Sequence, residues 1–171
     1  MSGEHQGFPG TLSIGQEAVE LLLVELVRSA ALTFRQVILV SAHGGNAQPV
    51  TRAVRRLRSE GRNVLAWAPR WDGDAHAGRT KTSVMRSPTP DHVRLDAAWP
   101  GNTTPIQDLL PQLRGSGLSL RHPPNGVLGD PARAHAEEGE TLLQRAAADL
   151  TEMRTPSASP ELDTWARPQD A

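Results

Sequence analysis

The first half of the chain alternates between two hydrophobic periodicities. Apolar residues spaced three and four apart predict amphipathic helices over about 16–31 and about 47–60. Their stripes are Val19, Leu22, Leu23, Leu26, Val27 and Ala30, then Val50, Ala53, Val54 and Leu57. Short runs rich in β-branched and apolar residues, at 36–42 and at 63–68, predict two strands. This order of helix, strand, helix and strand favours a parallel sheet with right-handed crossovers.

The run at 36–42 is nearly continuous in its apolar character, which predicts a strand buried on both faces. It ends at His43-Gly44-Gly45-Asn46, where Asn46 is placed to cap the next helix. Gly61 is placed to terminate that helix.

The second half of the chain has fewer regular signals. We expect a loop over 69–80, a short helix over 81–86 that stops near Pro88, and few elements over the Pro- and Gly-rich residues 87–131. A last helix is expected over 132–153. The predicted domain therefore covers 1–154, and the Pro-, Ser- and Asp-rich residues 155–171 are expected to form a disordered tail.

Composition narrows the possible classes of protein. The formal net charge is −1 and the arginines are scattered, so we expect no nucleic-acid partner and no membrane partner. The chain contains no cysteine, which excludes disulfides, zinc–thiolate sites and cysteine nucleophiles. With 37% hydrophobic residues and no signal peptide or membrane-spanning run, a cytoplasmic globular protein is the expectation.

His43 is the sharpest candidate for chemistry, because it follows a strand that we expect to be buried and precedes a helix. Ligand crevices in open α/β sheets lie at the carboxyl ends of strands. Gly44 and Gly45 would permit close backbone approach and unusual dihedral angles, and the helix N-terminus offers free N–H groups. This pattern suits a metal-ligating imidazole beside an oxyanion site, but it equally suits a structural turn with an Asn cap.

His76 follows the second predicted strand, in the segment Asp72-Gly73-Asp74-Ala75-His76. Two carboxylates and an imidazole at alternate positions could bind a divalent cation or act as general acid and base, and the alternative is a polar surface loop. Near the N-terminus, Glu4 and His5 precede a rigid Phe-Pro-Gly-Thr turn that would hold them in place. Trp67 is expected to pack in the core.

These motifs together, in this order and at this spacing, resemble the creatininase family of metal-dependent amidohydrolases. The resemblance covers about residues 2–153 and rests on five segments. They are Gly3-Glu4-His5, Phe8 to Gly15, His43-Gly44-Gly45-Asn46, His76-Ala77-Gly78 with Thr82-Ser83, and Pro124 to Pro131. Within the family, the pattern is most similar to the branch that acts as peptidases on a modified precursor peptide.

The resemblance implies an α/β fold, a three-layer α/β/α sandwich with a mostly parallel sheet that here lacks its first strand or strands. It implies hydrolysis of an amide bond by water activated on a divalent metal ion, which would be zinc, iron or manganese, and assembly as a homo-oligomer. His43 would be a metal ligand, and Gly44, Gly45 and Asn46 would line its site. His76, His5 and Glu4 would be the catalytic residues of the pocket. The substrate would be the modified precursor peptide, cut to release a C-terminal dipeptide.

Two departures from the family pattern bear on the metal site. Family members begin with a further strand and a Glu-x-His-Gly-Pro-His-type segment that supplies most of the ligands, and we expect this chain to lack them. The family also carries Glu at the position of Lys81, where a cation would repel a metal if it pointed inward. Without its first strand, the sheet would leave Val37, Leu39 and Val40 uncovered, which predicts poor solubility.

Three hypotheses follow for the function. The first is a metal-dependent peptidase or amidohydrolase of this family. The second is a non-catalytic remnant, or a fragment that works only beside another chain, with an incomplete metal site. The third is a creatininase-type hydrolase of a small cyclic amide or a formamide.

Overall fold

A computed structural model describes residues 10–74, 76–105, 108 and 125–153. These residues group into two compact units, which are divided between Pro69 and Arg70. The predicted tail at 155–171 lies outside the described residues, so that prediction stays a prediction. No helix in the described part of the chain combines the length and the apolar character needed to cross a bilayer.

The first unit has the predicted order of elements, namely α1 (Gly15–Ala30), β1 (Val37–Val40), α2 (Ala47–Ser59) and β2 (Val64–Trp67). β1 and β2 are parallel, with Val37 opposite Val64 and Val40 opposite Trp67. Gly61 ends the second helix with φ of 76°, a left-handed conformation that glycine adopts without steric cost. The predicted parallel α/β arrangement is therefore confirmed.

The core of the first unit lies where the inner faces of the two helices meet the sheet. Its buried residues are Val24, Val27, Val50, Ala53, Val54, Leu57 and Val64, with Leu23, Val37, Leu39 and Ala66 packed against them. Trp67 is 8% exposed, as expected for a core residue. The predicted stripe of α2 is buried, as its helical spacing indicates. The stripe predicted for α1 was wrong in part, because Leu22 and Leu26 are 58% and 59% exposed, while Val24, which lay outside that stripe, is fully buried.

β1 departs from the prediction, because it is shorter and more exposed than a strand buried on both faces. It contains four residues, of which three are half-buried and Val40 is 58% exposed. Among the described residues, β1 pairs with β2 alone, so the other edge of β1 has no neighbouring strand there. On α1, Leu21, Leu22 and Leu26 also lie on the surface. The expected poor solubility stays a prediction.

The second unit contains α3 (Arg79–Arg86) and α4 (Ala136–Met153), and its described residues also form short 3-10 turns at 90–92, 95–97 and 131–133. α3 begins two residues earlier than predicted, because the Asp74 carboxylate accepts hydrogen bonds from the backbone N–H groups of Arg79 and Thr80. α4 begins later than predicted. Residues 131–133 form a 3-10 turn, in which the Asp130 side chain accepts from the N–H of Ala132 at 3.1 Å.

Leu57 and Leu22 provide a matched test of the core in the first unit. Leu57 is completely buried and Leu22 is 58% exposed. We expect Leu57→Ala to lower the free energy of unfolding by about 2–5 kcal/mol, because it removes buried methyl groups and leaves a cavity. Leu22→Ala should change it by no more than about 0.5 kcal/mol. Urea denaturation of both variants checks this, and similar losses in the two would refute the assignment of the core.

Candidate active site

His43 lies just beyond the carboxyl end of β1, at a junction that backbone hydrogen bonds define. The N–H of Ser41 donates to the carbonyl of Trp67 at 2.9 Å, which extends the pairing with β2 by one residue. His43 itself is extended, with φ of −123° and ψ of 116°. Its carbonyl accepts from the N–H of Asn46 at 3.0 Å, which closes a 3-10 turn over Gly44–Asn46. The predicted strand-end position of His43 is therefore confirmed.

Two expectations about this turn are wrong in detail. Asn46 occupies the cap position of α2, but its side chain makes no capping hydrogen bond. Neither Gly44 nor Gly45 has a positive φ, so the turn does not need glycine for its backbone conformation. A Cβ on Gly44 would meet no atom within 4 Å. The space beside Gly44 is therefore open, which would allow a ligand to approach the backbone closely.

Buried polar atoms collect at the same junction. Ser41 Oγ and Asn46 Oδ1 are buried and have no hydrogen-bond partner among the described residues, and His43 Nε2 is buried there too. An unsatisfied buried polar group costs about 1–3 kcal/mol, so such atoms call for a partner. A bound polar ligand would supply hydrogen bonds to Ser41 and Asn46 at this position.

The described residues do not fit a complete metal site. They contain no group of three or more His, Cys, Asp or Glu side chains arranged to hold a metal ion. His43 alone cannot hold a catalytic divalent ion against water, since such sites normally use three or more protein ligands. Glu4 and His5, the other residues predicted for this pocket, lie outside the described residues.

His76 belongs to the second unit, where it forms an isolated antiparallel bridge with Leu128. The N–H of His76 donates to the carbonyl of Leu128 at 3.3 Å, and the N–H of Leu128 donates back at 2.8 Å. The next residue, Ala77, has φ of 52°, which is uncommon for a residue with a Cβ. His76 is thus held by tertiary structure and does not lie in a loose polar surface loop.

Asp74 was a candidate ligand for a cation, but its carboxylate serves the start of α3. Oδ1 accepts from the N–H of Thr80 at 2.9 Å, and Oδ2 accepts from the N–H of Arg79. These bonds satisfy two backbone donors of the first helical turn. The structure therefore supports a capping role for Asp74.

A polar network joins α3 to α4 beside this segment. Ser83 is fully buried; its Oγ donates to Glu138 at 2.8 Å and accepts from the N–H of His135 at 3.0 Å. Arg79 Nε donates to the same Glu138 oxygen at 2.9 Å. The hydrogen bond from Arg79 lowers the pKa of Glu138, partial burial opposes this, and the bond from Ser83 lowers it further.

The lowered pKa of Glu138 predicts a pH-dependent contribution to stability. Because the folded pKa lies below the ordinary value of about 4.3, the contribution is present above that value and is lost as pH falls through the folded pKa. We expect Glu138→Gln to lower the melting temperature at pH 7 and this difference to shrink below about pH 4. The pair is partly exposed, so the effect should stay below about 1 kcal/mol.

Thermal melts of both proteins between pH 3 and pH 7 measure this. Glu137→Gln, at an exposed neighbouring carboxylate on α4, is the control for the loss of one negative charge. A difference between wild type and Glu138→Gln that grows as pH falls would contradict the assignment.

Comparison with known proteins decides the family. The family described as creatininase (creatinine amidohydrolase) matches residues 1–153. The chain belongs to the creatininase family. A curated relative, the mycofactocin precursor peptide peptidase of Mycolicibacterium smegmatis, is 48% identical over 144 residues. That match covers 83% of this chain and 58% of the relative, so the chain spans little more than half of the relative's length.

Solved structures of creatininase-family proteins share the fold. A Bacteroides fragilis protein assigned as a creatinine amidohydrolase superposes with a TM-score of 0.71 and 24% identity, over 90% of this chain and 68% of that one. A structure titled as a manganese creatininase gives a TM-score of 0.62 at 24% identity, over 87% of this chain and 68% of that one. The fold class predicted from the motifs is therefore confirmed.

Lys81, the departure from the creatininase-family pattern, lies on α3 and is half-buried. The network that joins Ser83 and Arg79 of α3 to Glu138 of α4 was not predicted. Glu138 is 59 and 55 positions away from Arg79 and Ser83, and nothing in a local hydrophobic pattern pairs it with them. The sequence predicted a short helix over 81–86 and the family motif marked Thr82-Ser83 on it, but neither signal pointed to Glu138.

Proposed function

We propose that this chain is part of an enzyme that hydrolyses amide bonds and that its substrate is the modified mycofactocin precursor peptide. The reaction would release the C-terminal dipeptide. The observation that carries the proposal is the 48% identity, over 83% of the chain, to a relative named mycofactocin precursor peptide peptidase. The creatininases of known structure share the fold at only 24% identity, which favours the peptide over creatinine as substrate.

The chemistry is the cleavage of one C–N bond. The hydroxyl of water adds to the carbonyl carbon, the bond to nitrogen breaks, and the leaving amine takes up a proton. His76 would give this proton or contact the substrate, which suits an imidazole at neutral pH. Glu4 and His5 would be the other catalytic residues. The backbone N–H groups of Gly44 and Gly45 would favour negative charge on the carbonyl oxygen, and Asn46 would line this site.

A divalent metal ion would lower the pKa of bound water toward ~7 and so provide hydroxide at neutral pH. His43 would be the ligand that the described residues contribute. Further ligands would come from outside the described residues. One neighbour of the same fold is titled with manganese, and imidazole–carboxylate sites also accept zinc and iron. The enzyme would be a cytoplasmic homo-oligomer.

Mass spectrometry of products tests the substrate. The purified chain is incubated with the modified precursor peptide, a small cyclic amide or a formamide, each with added manganese or zinc. We expect a C-terminal dipeptide from the peptide and no turnover of the small amides. Turnover of a small amide without dipeptide would favour the smaller substrate. Activity on neither, together with no bound metal, would show that the chain is a non-catalytic remnant.

A further inference from the structure

A segment of five residues braces the backbone at His76. This bracing segment, residues 125–129, lies between two other stretches of chain. On one side, Leu128 exchanges two backbone hydrogen bonds with His76, of 3.3 and 2.8 Å. On the other side, the N–H of Gly101 donates to the carbonyl of Gly129, and the N–H of Asn102 donates to that of Val127, both at 2.9 Å. The bracing segment is therefore fixed along both of its edges.

The bracing segment is also fixed at its ends. Leu128 is 4% exposed, so its side chain is anchored by burial. At the start, the Asn125 amide nitrogen donates to the carbonyls of Trp99 and Pro100 at 3.4 and 3.3 Å. The Asn125 side-chain oxygen accepts from the N–H of Val127 at 3.1 Å. These contacts hold the start of the bracing segment in one conformation, next to the residue, Leu128, that pairs with His76.

Close packing joins the bracing segment to the residues on both sides of His76. Gly129 has φ of 143°, and a Cβ there would lie 2.6 Å from the Cβ of Asp74. A Cβ on Gly78 would lie 2.9 Å from the Cα of Gly129. Real Cβ atoms do not approach so closely, so glycine is needed at both positions. Asp74 and Gly78 lie on either side of His76 in the chain, and both pack closely against Gly129.

The backbone just after His76 is strained. Ala77 has φ of 52°, in the left-handed region that costs a residue with a Cβ about 1–3 kcal/mol. Such a conformation persists only where the surrounding structure over-determines it, and it is concentrated at functional sites. Here the surrounding structure is the bracing segment and the capping carboxylate of Asp74. The folded state therefore contains backbone strain at Ala77, the residue that follows His76.

We propose that the bracing segment fixes the position of the His76 imidazole, so that Leu128 and Gly129 are positioning residues for amide hydrolysis. The catalytic part of this inference rests on the proposed function. A misplacement of about 1 Å can cost a hundredfold in rate when a reacting group must be aligned. Reciprocal hydrogen bonds and two glycine contacts provide the rigidity that such alignment needs.

Gly129→Ala is the direct test, with Gly61→Ala as its matched control. Both glycines have positive φ, but a Cβ on Gly61 would meet no atom within 4 Å. In the full chain, we expect Gly129→Ala to shift or split the ring ¹⁵N signals of His76 in NMR spectra. Its His76 N–H should exchange with solvent at least about tenfold faster. Gly61→Ala should leave both signals as in the wild type.

Steady-state kinetics separate an effect on the position of His76 from a general loss of stability. We expect kcat of Gly129→Ala on the precursor peptide to fall at least about tenfold, with KM within about twofold of wild type. Unchanged ring signals and unchanged kcat in a folded Gly129→Ala protein would overturn the inference. If the wild-type chain hydrolyses nothing, the proposed function fails, and the ring signals alone still decide whether the bracing segment holds His76.

Asn125→Ala covers the case in which Gly129→Ala does not fold. Asn125 is exposed, so this change releases the bracing segment from Trp99 and Pro100 without opening a core. A smaller shift of the His76 ring signals is expected. Identical His76 signals in wild type and Asn125→Ala would overturn the inference in that case.

Discussion

Gly139→Ala is expected to destabilise the second unit by about 2 kcal/mol or more, although alanine normally stabilises a helix interior by about 1 kcal/mol relative to glycine. Gly139 is buried on α4, directly against the backbone of α3. A Cβ there would lie 3.0 Å from the nitrogen of Val84 and closer still to the carbonyl group of Ser83. Because backbone atoms cannot move aside as a flexible side chain can, the two helices would have to separate.

Separation of the helices would also break the network beneath Gly139. Ser83 Oγ bridges the two helices by its bonds to Glu138 and to the N–H of His135, and its burial makes an unsatisfied hydroxyl costly. Urea denaturation measures the loss. Ala148→Gly, at an exposed position of the same helix, is the control and should lose only about 1 kcal/mol. A Gly139→Ala protein more stable than wild type would show that α3 and α4 do not pack this closely.

His43→Ala is expected to have the largest effect on activity. If His43 is a metal ligand, its removal should lower kcat/KM for the precursor peptide at least about a hundredfold, since a metal ion contributes several kcal/mol to catalysis. The melting temperature should change little, because His43 is only half-buried and lies at a turn. His92→Ala, at an exposed histidine, is the control. Equal activity of His43→Ala and wild type would remove His43 from the site.

The sequence predicted local elements well and their environment less well. The buried stripe of α2 follows directly from residue spacing, whereas the stripe predicted for α1 included the exposed residues Leu22 and Leu26. The spacing placed the ends of both helices to within one or two residues. The burial of β1 was wrong, because an apolar run shows what a strand prefers to contact and not which neighbours it has. Val40 has the composition of a buried strand and is 58% exposed.

Some features of the candidate site were likewise predicted from the sequence, and others were not. The position of His43 at a strand end follows from the order of a strand, a Gly-Gly turn and a helix, and it was predicted. The reciprocal bonds between His76 and Leu128 join residues 52 positions apart, which periodicity cannot pair. Asp74 shows a different limit, because a carboxylate beside a histidine and one that caps a helix look the same in a sequence.

Metal affinity tests the central claim, that His43 is a metal ligand of a creatininase-family site. The dissociation constants of manganese and zinc are measured by calorimetry for wild type, His43→Ala and His92→Ala. We predict at least about tenfold weaker binding in His43→Ala, since even groups that only orient a metal ligand change affinity by 10- to 100-fold. His92→Ala should bind as wild type does. Equal affinity in wild type and His43→Ala, or no binding by either, would contradict the claim.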